Sequence, residues 1–212
     1  GVIKSQVKFL SIDPYANAFN EEPNGNCWHK DFADQSAWVF ERKFELDSIT
    51  SFLQLSLDLA EVTGDHSHLT ADWWALANRL VELLWTETEH DPKSYRFSRP
   101  GNPPHDYLSH DGYGAPYRNC GLIWSAFRPS DDACELPFHV PSNIHAEIQL
   151  RRLAKFAESE FAALAASARK LALQLSTAIE SVAVMGMGLK SILAYEVDGL
   201  GGFKLQDDAN YP

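Results

Sequence analysis

The sequence predicts an all-α protein, an α/α toroid of successive helical hairpins whose loops at one end line a cleft. Three observations carry that expectation. Apolar residues recur at helical spacing in several segments. No glycine or proline interrupts residues 142–185. Long loops rich in aromatic and amide side chains separate the hairpins.

Taken in order, residues up to about 34 read as irregular, with Pro14, Pro23 and Gly25 set among asparagines. From Asp34 the pattern turns helical. Val39, Phe40, Phe44 and Leu46 accompany Trp38, Glu41, Arg42, Glu45 and Asp47, which predicts an amphipathic helix with Glu41 and Lys43 on its surface. A second helix covers 51–62, apolar nearly all round through Phe52, Leu53, Leu55, Leu57 and Leu59, and Gly64 stops it. Thr70 is the N-cap of a third, which presents Trp73, Ala77, Leu80, Val81 and Leu84 and ends before Pro92.

A loop over 94–119 follows, and its length and aromatics point to function. Pro141, Ser142 and Asn143 open another helix. The uninterrupted run is too long for one globular helix, so it divides near Ser159. The second piece carries the stripe Phe161, Leu164, Ala168, Leu171, Leu175, Ile179 and Val182. Residues 194–202 read as a short extended segment with turns.

Composition narrows the function. The chain has 212 residues, 45% of them hydrophobic, and a formal charge of −11. That suits a sizeable core and argues against nucleic acid or an anionic membrane, both of which need a basic face. No apolar run is long enough to span a membrane, and the first residues carry no signal-peptide pattern. Cys27, Cys120 and Cys134 form neither a disulfide framework nor a zinc spacing. The pairs His66/His68 and His139/His145 fit no metal motif. No Gly-x-Ser-x-Gly elbow occurs. Gly186 and Gly188 do not follow a strand, so they make no phosphate loop. Six tryptophans are present, and several aromatics sit among amides, as at residues 24–29. Sugar clefts have this composition, because pyranose faces stack on rings while hydroxyls need amides and carboxylates.

The chemistry-bearing stretch is GLIWSAFRPSDDAC, residues 121–134. Adjacent Asp131 and Asp132 point in different directions in most backbones, so one enters a cleft and the other orients or caps. The neighbouring apolar run could desolvate a carboxyl and raise its pKa, as a general acid requires. Arg128 would favour ionisation, or clamp a substrate oxygen. In the plainer reading Ser130 or an aspartate simply N-caps a following helix. Residues 13–25 have the same two readings, a solvated turn or a set of amides and carboxylates for sugar hydroxyls.

Five stretches in order are similar to one known family: IDPYANAFNEEPNG (12–25), WVFERKFELDS (38–48), GLIWSAFRPSDDAC (121–134), VPSNIHA (140–146) and AYEVDGLGG with DDAN (194–210). They resemble glycoside hydrolase family 125. The resemblance implies metal-independent, exo-acting α-1,6-mannosidases with an (α/α)6 barrel and an inverting mechanism, no cofactor, and a mannose-containing oligosaccharide or N-glycan as substrate. It places the general acid at Asp131 or Asp132. Arg128, Ser130 and Trp124 lie beside it, and Asn17, Asn20, Glu21 and Trp28 are candidates for the cleft wall. It places the general-base glutamate beyond Pro212, and a Trp-Leu-Arg-Asp-type motif before Gly1. Residues 1–212 are then part of one catalytic domain, incomplete at both ends and prone to associate if isolated. Residues 29–32 and 135–139 depart from the family pattern. The alternative is a carbohydrate-binding or helical interaction protein that keeps the fold without the base.

Overall fold

The computed structural model describes residues 1–91, 93–99, 101, 103–186 and 190–207. Helices dominate, joined by very short strands. In order these are α1 (Val2–Ile12), β1 (Ala18–Phe19), β2 (Val39–Glu41), α2 (Leu46–Thr63), α3 (Ala71–Thr88), a 3-10 turn (Pro104–Asp106), the single turn α4 (Ser109–Gly112), β3 (Phe138–His139), α5 (Val140–Ala157) and α6 (Ala162–Ala178). A π-helical turn (Ile179–Ala183) leads into β4 (Val184–Met185), followed by β5 (Ile192–Leu193), β6 (Glu196–Val197) and β7 (Phe203–Lys204). The strands pair antiparallel: β1 with β2, β4 with β5, and β6 between β3 and β7.

The helices α5 and α6 form a hairpin, with α2 packed on α5 and α3 on α6, and α2 meets α3 through Phe52, Ser56 and Trp73. One core runs between them. Leu46, Ile49, Phe52, Leu53 and Leu57 of α2 meet Trp73, Leu76, Leu80 and Leu84 of α3, and Leu150, Leu153, Leu164, Leu171 and Leu175 of the α5–α6 hairpin complete it. The polar groups of Trp73 and Ser56 are paired within it. The Trp73 indole N–H donates to Ser56 Oγ at 3.0 Å, and Ser56 Oγ donates to the Phe52 carbonyl at 2.9 Å.

Helix ends follow local chemistry. Gly64 closes α2 in the left-handed region at φ 69°, which glycine reaches without a Cβ clash. Thr70 Oγ1 accepts from Trp73 N–H and caps α3. The His139 ring caps α5, with Pro141 in the first turn where its missing N–H costs nothing. The division of residues 142–185 falls between α5 and α6, close to Ser159.

Two expectations fail. The opening segment is not irregular throughout, since residues 2–12 form α1 and bury Ile3 and Leu10 on one side. Residues 38–45 are not a helix. Val39, Glu41 and Lys43 are buried while Phe40 and Arg42 are partly exposed, the two-residue period of a strand. The helix begins only at Leu46. Charged residues on the buried phase disguised the strand, because a helical reading sends them to solvent. Gly186 does follow a strand, β4, with φ 92°. Gly188 lies outside the described residues.

Trp73→Ala should destabilise the protein by about 3–5 kcal/mol, measured by chemical denaturation, because it empties the α2–α3 seam and strands Ser56. A second prediction concerns pH. Burial, with Arg128 adding to it, depresses the His139 imidazole to about 4. The folded state therefore binds fewer protons there than the unfolded chain, and stability falls as pH drops from about 6.5. In His139→Asn, which can still cap, the loss between pH 7 and pH 5 should shrink by on the order of 1–2 kcal/mol.

Candidate active site

Residues 122–127 thread the core. Leu122, Ile123, Trp124, Ala126 and Phe127 are at most 1% exposed. Their backbone finds partners in several parts of the chain. Ile123 N–H donates to Asn143 Oδ1 at 2.7 Å, and Asn143 Nδ2 returns a bond to the Ile123 carbonyl at 3.0 Å. Trp124 N–H reaches the Glu87 carbonyl, and Ala126 and Phe127 N–H share that of Phe44. The chain then doubles back. Arg128 N–H donates to the Asp132 carbonyl, Asp131 N–H to that of Arg128, and Cys134 N–H to that of Ala126.

Asp131 sits at the tip of this turn with φ 71°. No helix follows it, so neither Ser130 nor an aspartate is an N-cap. Ser130 Oγ instead donates to Asp132 Oδ2 at 3.0 Å, inside the turn. The left-handed backbone at Asp131 is strained for a residue with a Cβ. Lys43 offsets that strain from below. Its Nζ donates to the Asp131 carbonyl at 2.7 Å and lies 3.1 Å from Asp131 Oδ2.

Lys43 is 1% exposed, a position an ammonium holds only with charged partners. Besides Asp131 it has Asp106 Oδ1 at 2.8 Å. Asp106 Oδ1 also accepts from Arg99 Nη1 at 2.9 Å. Arg99 grips Asp31 through two parallel bonds of 2.8 Å and reaches Glu41 Oε1. Burial opposes the Arg99 charge, but its bonds to Asp31, Glu41 and Asp106 outweigh that and raise its pKa. Asn17 closes the circuit. Its Nδ2 donates to Glu41 Oε2 at 3.1 Å and to Asp131 Oδ1 at 3.4 Å, and its Oδ1 accepts from Lys43 N–H.

Two cations thus face four carboxylates, those of Asp31, Glu41, Asp106 and Asp131. A fifth carboxyl, Glu45, accepts from Ser48 Oγ at 2.9 Å. Burial first, then the charges of Asp47 and Asp131, push Glu45 up to about 8 against the opposing Ser48 bond. The Asp131 side chain is 53% exposed and is the member of this assembly that faces outward.

A second cluster anchors the other side of the turn. Arg128 Nε donates to Glu196 Oε1 at 2.6 Å, and Leu136 N–H to Glu196 Oε2 at 3.0 Å. Glu135 and Asp207 lie 3.5 and 4.0 Å from the Arg128 guanidinium. Arg128 is 1% exposed, so it ties β6 to the turn rather than clamping a ligand.

The structure sorts the remaining candidates. Trp124 belongs to the core, its ring parallel to His90 at 3.8 Å, and offers no face to a sugar. Asn20 is likewise internal. Its Nδ2 donates to the carbonyls of Asn26 and Ala37 and shapes the 20–26 loop. Glu21 on that loop is exposed. Trp28 is 64% exposed, and its N–H bonds to the Phe40 carbonyl, beside Glu41. The sequence reading missed Lys43, Glu41, Arg99, Asp106 and Glu45. The alternation at 39–43 was the available signal for the first two. A separate pocket of about 550 Å³, lined by Glu61, His66, Trp74 and Phe156, opens at the far end of α2. At about 1.5 Å per helical residue it lies roughly 24 Å along the axis from Glu45.

Comparison with known proteins shows the family. The family model for metal-independent alpha-mannosidases, glycoside hydrolase family 125, matches residues 1–212. The meiotically up-regulated gene 157 protein of Schizosaccharomyces pombe is 34% identical over 232 residues, covering 100% of this chain and 46% of that protein. A Streptococcus pneumoniae metal-independent alpha mannosidase, solved as a non-productive complex with alpha-1,6-mannobiose, superposes with a TM-score of 0.92 at 34% identity, covering 99% of this chain and 50% of that one. The chain thus spans about half the length of these relatives. Matched from end to end by the family model, it belongs to the metal-independent α-mannosidases of glycoside hydrolase family 125.

Proposed function

We propose that residues 1–212 carry the proton-donor side of an exo-acting α-1,6-mannosidase that works with inversion, within a single (α/α)6 catalytic domain. The observation that carries this reading is the placement of Asp131. Its carboxyl stands at the outward tip of a buried apolar segment, half-exposed, and is fixed by Lys43 and Asn17. The packing of α2 on α5, α3 on α6 and α5 against α6 suits the layered helices of such a barrel. The α-1,6-mannobiose in the pneumococcal complex, and the N-linked glycans its description names, support a mannose-containing oligosaccharide or N-glycan as substrate.

In an inverting glycosidase, one carboxylic acid protonates the departing oxygen. A second carboxylate, about 6.5–9.5 Å away, takes a proton from water on the opposite face of the sugar. Asp131 is the proton donor in this reading. Asp132, bonded to Ser130, keeps the turn closed, and its backbone carbonyl holds Arg128 N–H. Asn17, Glu21, Ser130 and Trp28 are the groups available to sugar hydroxyls and ring faces. The general base comes from sequence outside residues 1–212, consistent with a match to about half of each relative.

Three outcomes test this on the full-length protein. Asp131→Asn should lower α-1,6-mannobiose hydrolysis by about 10² to 10⁴-fold, and Asp132→Asn by clearly less. If Asp132→Asn is the more damaging change, the donor is misassigned. The first-formed mannose should be the β-anomer by NMR; α-mannose would exclude inversion. Turnover should survive exhaustive chelation by EDTA, and its loss would contradict the metal-independent reading.

A further inference from the structure

The cavity at the far end of α2 takes no part in the chemistry described above. Its volume, about 550 Å³, is that of a small-ligand site. Three helices and the turns between them build it. Glu61 comes from α2, Trp74 from α3 and Phe156 from α5, while His66 and Ser159 come from the connecting turns.

The floor is aromatic and braced. Trp74 and Phe156 are both half-buried. The Trp74 indole stacks on Phe161 with centroids 4.4 Å apart and stands edge-on to Trp73 at 4.9 Å. Phe161 lies outside the cavity lining, so the indole reaches the cavity with the part turned away from that stack. The His66 ring supports Phe156 at 5.7 Å. The rim is polar. Glu61 Oε2 accepts from Arg152 Nη2 at 2.8 Å, which neutralises it. Lys155 and Glu160 add one charge of each sign. Among the described residues, the side chains of His66, Lys155, Ser159 and Glu160 and the Trp74 indole N–H have no hydrogen-bond partner.

We propose that this cavity is a second, non-catalytic carbohydrate site that takes a neutral α-mannosyl unit. The choice of mannose rests on the mannosidase reading, but the cavity shares no residue with the Asp131 site. A purely apolar ligand would strand the rim donors and acceptors, which costs more than the contact returns. A strongly charged ligand would find as many like charges as opposite ones. A hexose meets both demands, because its apolar C–H face suits an aromatic ring and its hydroxyls suit the rim. The site holds a part of the glycan other than the one being cut. It thereby raises affinity for long or branched substrates and leaves disaccharide hydrolysis unchanged.

The test follows the Trp74 indole N–H by heteronuclear NMR in the full-length protein, with the resonance assigned by its loss in Trp74→Phe. Methyl α-mannopyranoside should shift it saturably in the wild type. Ser159→Trp fills the cavity from an exposed position. It should raise the half-saturating concentration by about tenfold or more, with kcat/KM for α-1,6-mannobiose unchanged. On a long α-1,6-linked mannan, its KM should rise by about threefold or more with kcat unchanged. If Ser159→Trp folds poorly, His66→Ala and Lys155→Ala, both at exposed positions, carry the same comparison. An unmoved wild-type resonance overturns the proposal, whether nothing binds or other sequence fills the cavity. An equal shift with glycerol, which has no pyranose face, also overturns it. A titration weakened by the variant with no change in KM for mannan removes the tethering role. The mannosidase reading fails differently, by absence of mannobiose hydrolysis in the wild type, and the indole titration then still decides whether the cavity binds a hexose.

Discussion

The arrangement depends on keeping a buried, non-helical backbone hydrogen-bonded. Residues 122–127 run through the core outside any regular sheet, where each unpaired N–H or C=O costs as much as a lost hydrogen bond. Their partners come from several parts of the chain. Asn143 of α5 serves Ile123 in both directions, the end of α3 serves Trp124 through Glu87, and Phe44 serves Ala126 and Phe127. The Phe44 side of this contact is itself held, because Tyr95 Oη accepts from Phe44 N–H at 3.0 Å and donates to the Arg42 carbonyl at 2.6 Å. The helices thus fix a segment that is not helical, and that segment carries the aspartates.

The same dependence explains how charged side chains come to lie inside. The strand before α2 aims Glu41 and Lys43 inward because its other phase is taken by Phe40 and Arg42. A buried lysine alone would deprotonate or unfold the site. Here Asp106, Asp131 and, through Asp106, Arg99 surround it. The assembly works only as a unit, since removing either cation would leave several carboxylates crowded without compensation. On this account, activity losses at Arg99 or Asp106 would reflect the orientation of Asp131 rather than contact with sugar.

How much of this was legible in the sequence follows from which physical signals are local. Gly64, Thr70 and Pro141 mark helix ends through their own backbone preferences, and all three do so in the structure. The stripe Leu164, Ala168, Leu171 and Leu175 needs only helical spacing to identify α6. The Asp131–Asp132 doublet stood out by composition and family resemblance. What stayed hidden depends on distant partners. Nothing near Lys43 announces Asp106 or Asp131, which lie 63 and 88 residues along the chain. Trp124 and Asn20 looked available because aromatic and amide side chains suit sugars, yet the same chemistry serves ring stacking against His90 and loop closure.

A strained backbone and a matched ion cluster at one residue are best understood together. Were Asp131 in an ordinary conformation, its carbonyl would have no reason to face Lys43. The left-handed turn brings carbonyl and carboxylate onto the same ammonium, two contacts for one cation. That bidentate hold limits rotation of the side chain, which a proton donor needs if it is to stay aligned with a departing oxygen. Glycine at this position would relieve the backbone but lose the carboxyl, and asparagine would keep the turn while giving up the charge that Lys43 balances. Aspartate meets both demands, because its short side chain tolerates the left-handed region and still carries the acid.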